Sequence, residues 1–137
     1  MKWMLGDCMT RTALTLGKHF ENTVPFSLGV ISSGRLLHTA GITARDADGG
    51  VVGEGDMRAQ VAQCFANLAD VLEHAATSFD NVVKFTIFTT DIDRFNHDTR
   101  DIRFPYFSGR PAATLVEVSR LVDPRMLVEI EAIVCLD

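Results

Sequence analysis

With 137 residues, 47% of them hydrophobic and 23% charged with both signs interspersed, the chain can bury one core and has no room for two, so 1–137 is expected to be a single domain. The net charge of −5 and the scatter of the 13 basic residues argue against a nucleic-acid surface, which draws on clustered Lys and Arg. Met1 to Met9 are only mildly apolar and include Asp7, so they lack the apolar core of a signal peptide, and no stretch approaches the roughly 20 apolar residues of a membrane span; no membrane partner is expected.

Along the chain, a strand is expected near Ala13 to Gly17. Ser27 to Ile31 and Leu36 to Ala40 then flank Ser32-Ser33-Gly34-Arg35 as a hairpin would. Arg45 to Gly55 is rich in Asp and Gly but has neither phosphate-loop spacing, and reads as a solvated loop. Asp56 is placed to cap a helix to about Ala76, whose Met57, Val61, Cys64, Phe65, Leu68, Val71, Leu72 and Ala75 recur at three and four as a core stripe. The β-branched and aromatic run Asn81 to Thr90 predicts a strand, Asp91-Ile92-Asp93 ends it, and a shorter helix from about Arg94 to Ile102 is stopped by Pro105. Pro111 to Leu121 and Val128 to Ile133 alternate as two strands joined through a turn at Pro124, which predicts a closing hairpin. The order β-β-β-α-β-α-β-β makes the domain α+β, with one largely antiparallel sheet and two helices against one face.

Cys8, Cys64 and Cys135 form no C-x-x-C, which suggests free thiols in a reducing compartment and a cytoplasmic location, with Cys64 and Cys135 as packing residues. His19, His38, His74 and His97 show no i, i+4 pairing, so no metal site is expected and no organic cofactor is implied.

Successive strand residues point to opposite faces. Thr114, Val116 and Val118 oppose Ala113, Leu115, Glu117 and Ser119, and Val128, Ile130, Ala132 and Val134 oppose Glu129, Glu131, Ile133 and Cys135. The fully apolar rows are expected to face the helices, leaving a second face with Leu115, Ile133 and Cys135 among three carboxylates. That face is either a solvated outer face or a subunit interface, and periodicity does not choose.

The run P-A-x-x-x-V-E-V-x-R-L at Pro111 to Leu121, followed by E-I-E-A-I at Glu129 to Ile133, resembles the C-terminal signature of the RidA (YjgF-type) family of reactive-intermediate deaminases. Pro25 to Val30, Leu36 to Gly41 and Lys84 to Asp91 resemble that family's P-Y-x-x-G-V, T-S-G and V-K-x-T-V-F-V-x-D segments, so the likeness spans about Pro25 to Ile133 and leaves residues 1–20 partly as an N-terminal extension. It implies a chorismate-mutase-like architecture and a homotrimer whose sheets face the three-fold axis, with small-molecule clefts between subunits. In deaminating members an arginine and a backbone amide hold the carboxylate of an imino acid, and a glutamate positions the attacking water. By resemblance Gly41 keeps the amide and Glu129 the glutamate, while the arginine has become Ala113, a tyrosine Phe26, a serine Ala40 and an asparagine Thr99. A bidentate arginine–carboxylate pair is among the stronger charge-assisted contacts, so the cleft is expected to be more apolar, lined by Phe26, Ala40, Ala113 and Leu115.

His38 shares parity with Ala40 and is either a second polar contact or a structural residue. Arg103, Arg110 and Arg120 are the candidates to replace the missing arginine, with Arg110 just outside the strand and Arg103 on the second helix. Two functions follow. One is a divergent RidA-type hydrolase or deaminase of an enamine, imine or related C=N compound, with Glu129 as base. The other is a catalytically silent trimer that binds a small molecule.

Overall fold

The computed structural model describes residues 10–136, so the expectations about Met1 to Met9, including the Cys8 thiol, lie outside the described residues. Two short strands, β1 (Arg11–Ala13) and β2 (Val30–Ser32), pair antiparallel with Thr12 opposite Ile31. There follow β3 (Leu36–His38), α1 (Met57–His74), β4 (Val82–Thr89), α2 (Ile92–Asp98), α3 (Arg100–Arg103), β5 (Ala112–Glu117) and β6 (Val128–Cys135). The fold is α+β, and the four longer-range strands form one sheet in the order β3-β6-β4-β5.

Two expected hairpins are not formed. β2 pairs with β1 rather than with β3, and β3 pairs antiparallel with β6, Leu37 opposite Val134. The closing strands β5 and β6 do not touch, because β4 lies between them, parallel to β5 and antiparallel to β6. The reason is the helical crossover. A helix after β4 returns the chain to the strand's starting end, so β5 must run parallel to β4, and β6 then takes β4's other side. The second helix also begins earlier than expected, at Ile92, where the Asp91 carboxylate accepts from Arg94 N–H at 3.1 Å, and it breaks at Thr99 into α2 and α3.

The core is the contact of α1 with the inner rows of β4 and β6. Asp56 caps α1 by accepting from Ala59 N–H at 3.0 Å, as its position predicts. Met57, Val61, Cys64, Phe65, Leu68 and Leu72 are buried against Val82, Phe85, Ile87, Val128, Ile130 and Val134. Phe65 is the aromatic centre, stacked on Tyr106 at 4.3 Å and edge-on to Phe85 at 6.0 Å. Burial pushes the Cys64 thiol up to about 12, so it acts as a packing group, and Cys135 is buried too. Gln60, a polar residue inside the apolar stripe, is fully buried and satisfied. Its amide donates to Gly53 O and Arg125 O, and its carbonyl accepts from Leu127 N–H.

The parity of β5 corrects the expected second face. Ala113 and Leu115 lie opposite the buried Phe85 and Ile87, so they face the helices, while Thr114 and Val116 stand on the outer side with Thr86 and Phe88. A parallel neighbour shares its partner's facing, which the apolar count along β5 alone does not reveal. The outer face therefore carries Val116, Phe88 and Ile133 beside Lys84, Glu129 and Glu131, and Cys135 is withdrawn from solvent.

Phe65→Ala is expected to destabilise the fold by about 3–5 kcal/mol in urea unfolding, the usual loss for a large buried aromatic. Arg58→Ala, which removes the exposed Arg58–Asp101 ion pair, should leave the unfolding midpoint almost unmoved.

Candidate functional site

Past β3 the chain stays on β6 but gains a residue. Thr39 N–H donates to Ala132 O at 3.0 Å, and Ile42 and Ile130 exchange backbone hydrogen bonds at 2.8 and 2.9 Å. Between those two anchor points Ala40 and Gly41 stand against Glu131 alone, which is a bulge, the local device that re-aims backbone groups next to sites. Glu129 lies across Gly41 so closely that a Cβ there would sit 2.8 Å from its Cδ and 3.0 Å from its Cγ. Among the described residues the Glu129 carboxylate accepts from no donor and the Gly41 N–H finds no acceptor. An unengaged carboxylate beside an unengaged amide is a place to hold a water and a polar ligand group.

A separate cavity of about 260 Å³ opens between β5, α2–α3 and the segment Val24 to Phe26. Of the four residues expected to line the cleft, Phe26, Ala113 and Leu115 line this cavity and Ala40 does not. Its other wall carries two cations and an amide: Arg100, Arg103 and Asn96 line it from the helices, and no carboxylate does. The Arg103 guanidinium lies 4.9 Å from the Phe95 ring centroid and 5.1 Å from that of Phe104, and Nη2 donates to Asn96 O and Oδ1 at 3.1 and 3.0 Å. Burial, and then the charge of Arg100, lower its pKa to about 10, which leaves it a cation at neutral pH.

Other expected site residues are elsewhere. Thr99 is fully buried, its hydroxyl donating to Phe95 O at 2.6 Å, so it does not line the cavity. Arg110 donates to the carbonyls of Glu21, Val24 and Phe26, so it fastens the segment that carries Phe26 and does not enter the cavity. Arg120 is exposed, its Nε reaching only Leu121 O. His38 lies on the outer face opposite Ile133, in a shallow cleft with Lys84, Thr86 and Glu131, and Ala40, expected in the cavity lining, is instead exposed at the bulge and does not line the cavity. In the Asp/Gly loop the Asp46 carboxylate accepts from Asp48 and Gly50 N–H, which closes the loop on itself as a turn.

The sequence-predicted residues thus fall into two groups. Gly41 and Glu129 share the outer corner, and Phe26, Ala113 and Leu115 share the cavity on the helix side. Strand alternation holds the groups on opposite faces of the sheet. The residues that sequence reasoning passed over are Asn96 and Arg100, with Arg103 only a candidate. Their spacing of four and then three, in a segment read as one helix, is the signal that could have found them.

The chain is similar to known proteins in sequence and in fold. The family model described as Endoribonuclease L-PSP matches residues 17–136. A RutC family protein of Pyrococcus horikoshii is 34% identical over 119 residues, covering 83% of this chain and 93% of its own. The human 2-iminobutanoate/2-iminopropanoate deaminase is 31% identical over 110 residues, covering 80% of this chain and 78% of its own. Among solved structures, the Rid-family protein YyfB of Yersinia pestis superposes with a TM-score of 0.82 at 31% identity, covering 92% of this chain and 98% of that one.

Gly41→Ala should displace the Glu129 carboxylate while leaving the fold intact, since the clash falls on the far part of a flexible side chain. The expected outcome is a shifted Glu129 carboxyl resonance by NMR with an unfolding midpoint close to that of the parent protein.

Proposed function

The chain belongs to the YjgF/RidA family, whose model is described as Endoribonuclease L-PSP, and from that membership we propose that it hydrolyses the C=N bond of an imine or enamine in clefts between the subunits of a homotrimer. The observation that carries this reading is the pairing of Glu129 with Gly41, a carboxylate and an amide left unengaged at a bulge. That corner lies on the opposite sheet face from the Ala113 cavity, so one small ligand does not touch both within one chain. A second copy that sets its outer corner against the cavity completes the site. Val116, exposed on the outer face, and the half-buried Phe88 and Ile133 are suitable for such a contact.

In the proposed reaction a water oxygen attacks the C=N carbon while Glu129 takes one of its protons, and the π electrons move to nitrogen, which then takes that proton from Glu129 and leaves the carboxylate free again. The resulting carbinolamine loses its hydroxyl proton through Glu129 to nitrogen, the carbonyl forms, and the C–N bond breaks with ammonia leaving on its electron pair. Water and imine become a carbonyl compound and ammonia, so the step balances without a cofactor. General-base assistance of this kind contributes about 10² to 10⁴ in rate. The name of the human relative, an iminobutanoate and iminopropanoate deaminase, supports this reaction class. A silent binding protein is the second reading, favoured by the apolar Phe26, Ala113 and Leu115 that line the cavity.

Glu129→Gln is expected to lower kcat for 2-imino acids generated in situ by about 10² to 10⁴ while light scattering still returns three chains. Unchanged kcat would leave the silent binder as the better reading. Mixing the Glu129→Gln protein with an Ala113→Trp variant, each inactive alone, should restore function at about a quarter of the sites if cavity and glutamate come from different chains. A mixture that stays inactive places the whole site within one chain or removes the reaction.

A further inference from the structure

Ala113 leaves the strand side of the cavity without a cation, yet the cavity is not neutral. Arg103 is 7% exposed and lines it, and Arg100 lies beside it with its Cζ 5.4 Å from the Phe104 ring. Neither arginine joins a salt bridge among the described residues, where Arg58 pairs with Asp101 and Arg125 with Asp123. Arg103 has only Nη2 engaged. Its Nε is buried with no partner, and its Nη1 donates to no protein acceptor. A buried guanidinium with donors left over, clamped between two aromatic rings, is already desolvated and oriented, so an arriving anion meets little reorganisation.

We propose that Arg103, steadied by Asn96 and accompanied by Arg100, is the carboxylate-holding residue of this cavity, acting from the helix wall where Ala113 has vacated the strand wall, and that the ligand is a 2-imino or 2-oxo acid with a bulky apolar side chain. This rests on the hydrolase reading for the chemistry of the ligand, though not for the anchor itself. The remainder of the cavity is apolar and aromatic, with Phe26, Phe107, Ala113 and Leu115 open to the side chain, and the small Ala113 leaves space that an arginine would fill. The low polarity of those walls strengthens the ion pair. The lowered pKa of Arg103 has the same origin, since its charged form is buried without a counter-ion.

Calorimetry with phenylpyruvate and with phenylacetone, which has the same body without the carboxylate, tests the anchor on the unaltered protein. Phenylpyruvate is expected to bind at least about ten-fold more tightly, the scale of a hydrogen bond to a charged group, and equal affinities, or binding of neither, would overturn the proposal. Arg103→Gln should weaken phenylpyruvate by about ten-fold or more and leave phenylacetone unchanged, with Arg103→Lys between the two because a point charge lacks the planar fork. A folded Arg103→Gln that holds phenylpyruvate as the parent does would also overturn it. Should that variant fail to fold, the Arg103 Nε–H resonance of the parent protein decides: it moves with phenylpyruvate and not with phenylacetone, or the anchor is wrong. Failure of the two readings is separable. Arg103-dependent binding without hydrolysis removes the hydrolase alone, and hydrolysis of bulky imino acids with KM unchanged by Arg103→Gln removes the anchor alone.

Discussion

β6 is hydrogen-bonded on both sides, to β3 and to β4, and its strict alternation sends Val128, Ile130, Ala132 and Val134 into the core and Glu129, Glu131 and Ile133 to the outer face. A slip of one residue would bury two glutamates under α1, so the register is strongly specified. Ionised carboxylates in such a core would be far more costly than any loss of ladder hydrogen bonds. The position of Glu129 is thus a by-product of the same alternation that builds the core. A candidate catalytic group placed this way needs no strain of its own.

The same constraint divides the chemistry. Ala113 and Leu115 follow the buried row of β4, while Glu129 follows the outer row through its pairing with Phe88. The bulge at Ala40 and Gly41 adds the third part, leaving unpaired an amide that a regular ladder would have consumed, next to the Glu129 side chain. Glycine matters there because of space and not because of backbone conformation: the Glu129 side chain occupies the place a Cβ would take and would have to move to admit one.

Three arginines show how environment decides the use of one side-chain type. Arg11 donates to Val82 O at 2.7 Å and also reaches Gly109 O, which ties the β1–β2 ribbon to the start of β4. Arg110, with a positive φ of 49°, has its fork filled by three carbonyls of the segment that leads to Phe26. Arg103 alone of the three is both buried and under-used, facing a cavity with no acidic lining. The first two are structural clamps. The third carries a charge whose compensation the fold leaves to something outside the chain.

By itself the sequence determined the α+β class, the capped core helix and the buried row of β6, because each follows from local periodicity, while the grouping of Phe26, Ala113 and Leu115 rested on the resemblance alone. It also indicated Gly41 and Glu129, through residue types at fixed places in a resembling pattern. What only the tertiary structure decided was the insertion of β4 between β5 and β6, the facing of Leu115, the burial of Thr99 and the different fates of Arg103 and Arg110. These depend on which strand becomes whose neighbour, and on which carbonyls lie within reach of a long side chain. Both are set by contacts between residues far apart in the chain, where local pattern carries no information.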